Sequence, residues 1–165
     1  MDATHRFAVV IVGGGPAGIG VAIELARRGE RSVLLIERNA QVGGVPALYK
    51  KKPGGIKSFI QRARLKMMFG EEYARWLKAK LAKTAVTVWL ESKVLSIQPE
   101  AKTLTVVGPD RGCVSVQADA VVLACGAREL TLDELGWVTG ARTGRVYQTK
   151  ALLDLLDHHG VSLIH

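Results

Sequence analysis

At 165 residues and 48% hydrophobic, with 18 glycines and only three residues each of Trp, Tyr and Phe, the chain has the size and balance of one soluble globular domain rather than a disordered or fibrous protein. Its formal charge of +8 is local, because residues 50–83 hold eleven basic against two acidic residues and the remainder sums to −1. Such a patch suits nucleic acid, an anionic membrane surface, an acidic partner or plain solvent. Without interleaved aromatics, a clamping glycine motif or a reading helix, the solvated face is favoured and no nucleic-acid partner is expected.

The chain opens on "MDATHRFAVVIVGGG", in which six apolar residues precede the glycines, too few for the core of a signal peptide or for a membrane span. A cytoplasmic protein is expected. The run at 7–12 is continuously apolar and β-branched, the pattern of a strand buried on both faces of a parallel sheet. "PAGIGVAIELARRG" follows, with Ile19, Ala22, Ile23 and Ala26 at helical spacing and Gly29 as the stop. A second buried run at 32–36 ends in Glu37. Strand, glycine turn, helix and strand in about 30 residues make a βαβ unit, which requires a right-handed crossover and a parallel sheet.

"NAQVGGVPALYKKKPGG" is loop by composition. A helical region over about 56–82, interrupted near Gly70, places Tyr73, Trp76, Leu77 and Leu81 in one apolar stripe opposite lysines, and Tyr73 and Trp76 read as packing residues. Between 87 and 117 come "VTVWL", "KVLSI", "TLTVV" and "CVSVQA", divided by "QPEAK" and "GPDRG". These read as hairpin strands of a small antiparallel meander. "AVVLACGARE" returns to a buried run ending at a glycine. The segment 148–159 then forms a helix carrying Leu152, Leu153, Leu155 and Leu156, with Gly160 as its cap, and "VSLIH" opens what reads as another strand.

The chemistry concentrates in "VVIVGGGPAGIG". In a GxGxxG turn between strand and helix, Gly13 permits the tight turn, Gly15 lets the backbone approach a pyrophosphate, and Gly18 lets the helix pack on the strand. The helix opening at Pro16 and Ala17 turns its unpaired N–H groups toward the phosphates. Glu37, nineteen residues after Gly18, stands where a carboxylate accepts both hydroxyls of an adenosine ribose and repels a 2′-phosphate. FAD and NAD both fit; NADP is disfavoured despite the neighbouring Arg38.

On "VVIVGGGPAG", "LLIERNAQVGG" and "AVVLACGARE", continuing through "GRVYQTKALLDLL", the chain resembles the two-dinucleotide-binding-domain flavoproteins, the FAD-dependent pyridine-nucleotide oxidoreductases. The resemblance implies an α/β, Rossmann-like FAD/NAD(P)-binding domain with a parallel sheet, flanking helices and an inserted antiparallel β-meander. It implies FAD as cofactor, with Gly43 and Gly44 against the pyrophosphate and ribitol. The family's Ala-Thr-Gly motif is matched by Ala124, Cys125 and Gly126, with Cys in place of Thr. A residue whose backbone touches adenine falls at Val94.

The resemblance further implies that 1–165 is the FAD-binding domain, truncated before a second, NAD(P)-binding domain, and that hydride passes to or from a small-molecule substrate through the flavin. Within the family the chain looks most like bacterial dehydrogenases of amino acids and amines, some of which work with a partner subunit that completes the active site. Two other readings accompany this one, a truncated nucleotide-binding remnant without catalysis and a docking subunit of a larger dehydrogenase.

Other chemistries find less support. "GGVPALYKKK" lacks the cysteine pair that disulfide reductases hold over the flavin. Cys113 and Cys125, twelve positions apart, match neither a redox nor a metal pair and read as buried or half-buried thiols. No clustered metal ligands or nucleophile elbow occur. His158 and His159 read as exposed residues at a helix end, and no catalytic side chain is assigned.

Overall fold

The structure, a computed structural model, describes residues 5–48, 70–131, 134–136, 147–157 and 159–161. In chain order these form β1 (His5–Val12), α1 (Pro16–Arg27), β2 (Val33–Ile36), a 3₁₀ turn (Val45–Leu48), α2 (Gly70–Leu81), β3 (Thr87–Trp89), β4 (Lys93–Gln98), β5 (Thr103–Gly108), β6 (Gly112–Leu123) and α3 (Thr149–Asp157). They divide into two compact units, Met1–Gly44 with Ala74–Gly126, and Val45–Tyr73 with Ala127–His165.

The first unit holds one sheet of order β3-β2-β1-β6-β5-β4. β1 runs parallel to β2, Val12 opposite Ile36, and parallel to β6, Val12 opposite Leu123. Period-two alternation sends Val10, Leu34 and Ile36 to one face and Ile11, Val33 and Leu35 to the other, and all six are 2% exposed or less. α1 packs on β1 and β2 and buries Ile19 and Ala22. On the opposite face Val10, Leu34, Ile36 and Trp89 join Leu104, Val106, Val114 and Val116 in one cluster, so the antiparallel strands curl over the parallel ones. Each fully buried aliphatic side chain there stabilises the fold by about 1.5–3 kcal/mol.

The βαβ unit forms where the sequence places it. Gly29, at φ +88, ends α1 by donating its N–H to Ala26 O, while Glu30 N–H reaches Leu25 O. The strands between 87 and 117 depart from expectation in two ways. "VTVWL" is not a hairpin strand: β3 is parallel to β2, with Leu34 opposite Thr87, because α2 carries the chain across before it. "CVSVQA" and "AVVLAC" are not separate strands either, since β6 is one strand of 12 residues, antiparallel to β5 in its first half and parallel to β1 from His5 opposite Val116 onward. The pattern changes midway because the strand changes partners, not because it stops. Its far end is not buried, with Leu123 67% exposed.

Of the helix expected over 56–82, the described part is α2, which buries Ala74, Leu77 and Leu81; residues 56–69 lie outside the described residues. Tyr73 and Trp76 are half-buried at the margin of that stripe, and Lys80 Nζ sits 4.1 Å from the centroid of the Trp76 ring. Most of the basic segment 50–83 lies outside the described residues as well.

In the second unit α3 contacts the 3₁₀ turn. Its first turn is capped from a distance: Glu129 Oε2 accepts the Lys150 N–H at 3.0 Å, and Lys150 Nζ donates to Ala127 O at 2.6 Å. Gly160, at φ +63, follows the helix, and Val161 N–H donates to Leu155 O. His159 is exposed; His158 and the strand expected from "VSLIH" beyond Val161 lie outside the described residues.

Candidate functional site

β1 leads through α1 to β2 on one side, while β6 arrives from the antiparallel strands on the other, so the chain's direction of travel across the sheet reverses between them. The carboxyl ends of two such strands frame a crevice in which ligands of open α/β sheets bind. Gly13 leaves β1 and Ala124 leaves β6, side by side. Ala124 N–H donates to Val12 O at 2.8 Å, and Gly13 N–H to Ile36 O at 2.8 Å, which ties the turn to both neighbouring strands.

The glycines of the turn divide by what holds them. Gly13 has φ +110, and a Cβ there would lie 2.3 Å from Ala124 O. On Gly18 a Cβ would lie 1.9 Å from Gly13 O, so the first turn of α1 folds directly over the loop. Gly44, at φ +62, brings the second motif against the first, with a Cβ falling 2.9 Å from Gly15 Cα and 3.3 Å from Pro16 Cδ. These three are glycine because the chain meets itself.

Gly15 differs. Its backbone is ordinary, φ −77 and ψ −177, and the nearest atom to a Cβ is Gly44 Cα at 4.0 Å. Among the described residues, nothing packs closely enough to require glycine there. The space beside it lies at the N-terminus of α1, where Gly15 is the N-cap with no capping side chain, Pro16 opens the helix, and the first turn carries no acid. A pyrophosphate fits such a cradle, because the partial positive charge of the helix start is left for the ligand. Ala17, in that first turn, is exposed.

Glu37 is 6% exposed and holds the loop by both oxygens. Oε2 accepts the Gly14 N–H at 2.7 Å and Oε1 accepts the Asn39 N–H at 2.8 Å. Each carboxylate oxygen keeps a second lone pair, sufficient for two ribose hydroxyls. Gly14 O in turn accepts the Gly43 N–H at 2.8 Å, and Gly43 has φ +132. Gly14 and Asn39 are not among the residues that sequence reasoning selects, since Gly14 occupies a variable position of GxGxxG. A Cβ on Gly14 would meet Val42 Cγ1 at 2.8 Å and Glu37 Oε2 at 2.9 Å; the third consecutive glycine is the available signal.

Of the remaining candidates, Gly126 has φ +69 and a Cβ there would meet none of the described residues within 4 Å, and Arg38 is exposed. Val94 is half-buried in β4 opposite Val106, two residues after Ser92, whose N–H donates to Glu37 O at 2.9 Å. The two cysteines are exposed, not buried: Cys113 starts the outer half of β6, and Cys125 follows its end, with Sγ 3.7 Å from Val12 O. Both lie at strand termini, where burial by neighbouring strands is incomplete. Among the described residues no cluster of three or more His, Cys, Asp or Glu suits a metal ion, and no helix is long and apolar enough to cross a membrane.

Residues 7–156 match the sequence profile of a family described as pyridine nucleotide-disulphide oxidoreductase. The hydrogen cyanide synthase subunit HcnB of Pseudomonas protegens is 33% identical over 130 residues, which are 78% of this chain and 26% of that protein. An opine oxidase subunit of Rhizobium meliloti is 32% identical over 149 residues, 82% of this chain and 26% of that one. Among solved structures, L-proline dehydrogenase from P. horikoshii superposes with a TM-score of 0.61 at 30% identity, over 79% of this chain and 25% of its own. The chain therefore spans about a quarter of the length of these relatives.

Proposed function

The chain belongs to the pyridine nucleotide-disulphide oxidoreductase family, and from that premise we propose that its glycine turn holds the ADP half of FAD. It is the FAD-binding part of a flavin-dependent oxidoreductase. The observation that supports the site is Gly15, a glycine with ordinary backbone angles and a 4.0 Å clearance at the uncapped N-terminus of α1. The pyrophosphate lies between Gly15, Gly44 and the start of α1 at Pro16, Ala17 and Gly18. Gly13, Gly43, Ala124 and Gly126 shape the walls, and Val94 borders the adenine. Glu37 accepts the ribose hydroxyls and disfavours a 2′-phosphate, which Arg38, exposed beside it, does not offset.

Bound FAD supplies two-electron redox chemistry at its ring system. The chain's own residues bind and orient the far end of the cofactor. In this reading residues 1–165 form the FAD-binding domain, and any NAD(P) binding belongs to chain outside them. An amino acid or amine is the favoured substrate class, supported by the likeness to L-proline dehydrogenase and opine oxidase. Work beside a partner protein is supported by two relatives that are themselves named as subunits. A cytoplasmic setting is supported by two exposed, unpaired cysteines, which suit a reducing compartment.

Titration of the purified chain with FAD, followed by visible absorbance and by calorimetry, tests the proposal. Saturable uptake near one FAD per chain, competed by ADP and not by FMN, is expected. A chain that takes up no FAD under native conditions would sink it.

A further inference from the structure

Glu37 is held not only by its carboxylate but by both sides of its peptide. Its N–H donates to Trp89 O at 2.8 Å, and its carbonyl oxygen accepts the Ser92 N–H at 2.9 Å. Next along, Glu91 N–H donates to Asn39 O at 3.1 Å, so the segment after β3 is zipped to the segment after β2. Whatever fixes Trp89 and Ser92 therefore fixes the backbone that carries Glu37.

One side chain touches both. Arg111 belongs to the tight turn between β5 and β6, where its N–H donates to Gly108 O at 3.3 Å. Its guanidinium carbon stands 4.5 Å from the centroid of the Trp89 ring, and its Nη1 donates to Ser92 Oγ at 2.8 Å. Ser92 is 1% exposed, and its hydroxyl gives its only proton to Leu90 O at 2.7 Å. The lone pairs of that buried oxygen thus need a donor, and Arg111 provides it. Gly108 keeps the path open: a Cβ there would fall 2.9 Å from Ser92 Oγ and 3.2 Å from Arg111 Nη1. Its conformation is not left-handed, so this approach is what calls for glycine at 108.

We propose that Arg111 is a positioning residue for Glu37, through which the turn between β5 and β6 sets how strongly the site senses the ribose hydroxyls of its nucleotide. The inference rests on the FAD site proposed above. Arg111 touches no ligand in this scheme; it holds Trp89 and Ser92, and they hold Glu37. A loose Glu37 still repels a 2′-phosphate but no longer meets two hydroxyls in fixed geometry.

The test compares ADP with 2′-deoxy-ADP, which lacks one of the hydroxyls, in calorimetric titrations of the full chain. The unsubstituted protein should prefer ADP by about tenfold, the low end of what one hydrogen bond to a charged acceptor contributes. Arg111→Ala should weaken ADP by about fivefold and leave 2′-deoxy-ADP within about twofold, so that the preference collapses. Arg111→Lys, which keeps the charge but cannot both stack on Trp89 and donate to Ser92 as the planar guanidinium does, should recover only part of the preference. Equal affinities in Arg111→Ala and the unsubstituted chain overturn the proposal, as does a parallel loss for both nucleotides that leaves the ADP preference unchanged. If Arg111→Ala does not fold by circular dichroism, Ser92→Ala decides: it removes the acceptor and keeps the ring contact, and an unchanged ADP preference in it overturns the proposal. An unsubstituted chain that binds neither nucleotide overturns the FAD reading and this inference with it, whereas binding with an unaltered Arg111→Ala overturns this inference alone.

Discussion

A Cβ placed on Gly13 would stand 2.3 Å from the carbonyl oxygen of Ala124, so the ends of β1 and β6 meet backbone to backbone at the reversal point of the sheet. That contact makes Gly13 a residue of the fold, whereas Gly15, two positions on, has no such neighbour.

The two glycines should therefore separate stability from binding. Gly13→Ala adds a clash and a strained φ of +110, and should lower stability by about 3 kcal/mol or more. Gly15→Ala should leave stability within about 0.5 kcal/mol of the unsubstituted chain and yet abolish FAD uptake. Urea unfolding beside FAD titration reads both, and a Gly15→Ala protein that still takes up FAD at full affinity contradicts the cradle.

Glu37→Gln is nearly isosteric but turns an NH₂ toward one of the two backbone N–H groups that Glu37 now accepts, from Gly14 or Asn39. Two donors then face each other in a buried site, and the change should cost about 2 kcal/mol in the absence of any nucleotide. Equal urea midpoints for the two proteins would show that the carboxylate does not hold the loop.

Stability at low pH should report Glu24. Hydrogen bonds from Arg27, then from Arg28, hold its carboxyl at about 2 against the ordinary 4.5. The folded value lies below the unfolded one, so the contribution is complete above pH 4.5 and is lost as pH falls toward 2. Glu134, held at about 2 first by Arg128 and then by the Thr131 N–H, adds to the same window. Because both ion pairs lie at the surface, with the carboxylate side chains 44% and 38% exposed, the effect should shrink in high salt. Thermal melts of Glu24→Gln should show a flatter acid limb across that window; an identical limb counts against the pairing.

Thiol labelling locates the third motif. Both cysteines are exposed and should react in the native chain. FAD should slow labelling of Cys125, which lies between Ala124 and Gly126, and leave Cys113 unaffected. Equal rates for Cys125 with and without FAD would remove "ACG" from the pyrophosphate site.

Much of this protein is legible along the chain. The continuous apolar runs of β1 and β2, the spacing of Ile19 and Ala22 and the stop at Gly29 are local signals, set by burial and by backbone conformation within a few residues. The glycines and Glu37 are legible for the same reason: a βαβ unit needs them at fixed distances. The partners of β3 and β6 are not legible, because alternation records which faces of a strand are covered and not which strand lies beside it.

The sequence by itself determined the βαβ unit, the glycine turn with its acid, and the kinship with FAD-binding oxidoreductases. Only the tertiary structure decided which glycines of the turn are pressed against the chain's own backbone and that Gly15 is not among them. It alone placed Gly14 and Asn39 on the Glu37 carboxylate and brought Arg111 across from a distant turn to Trp89 and Ser92. The physical reason is that spacing along a chain fixes local conformation, whereas contact distances across a sheet arise only when separate segments are packed together.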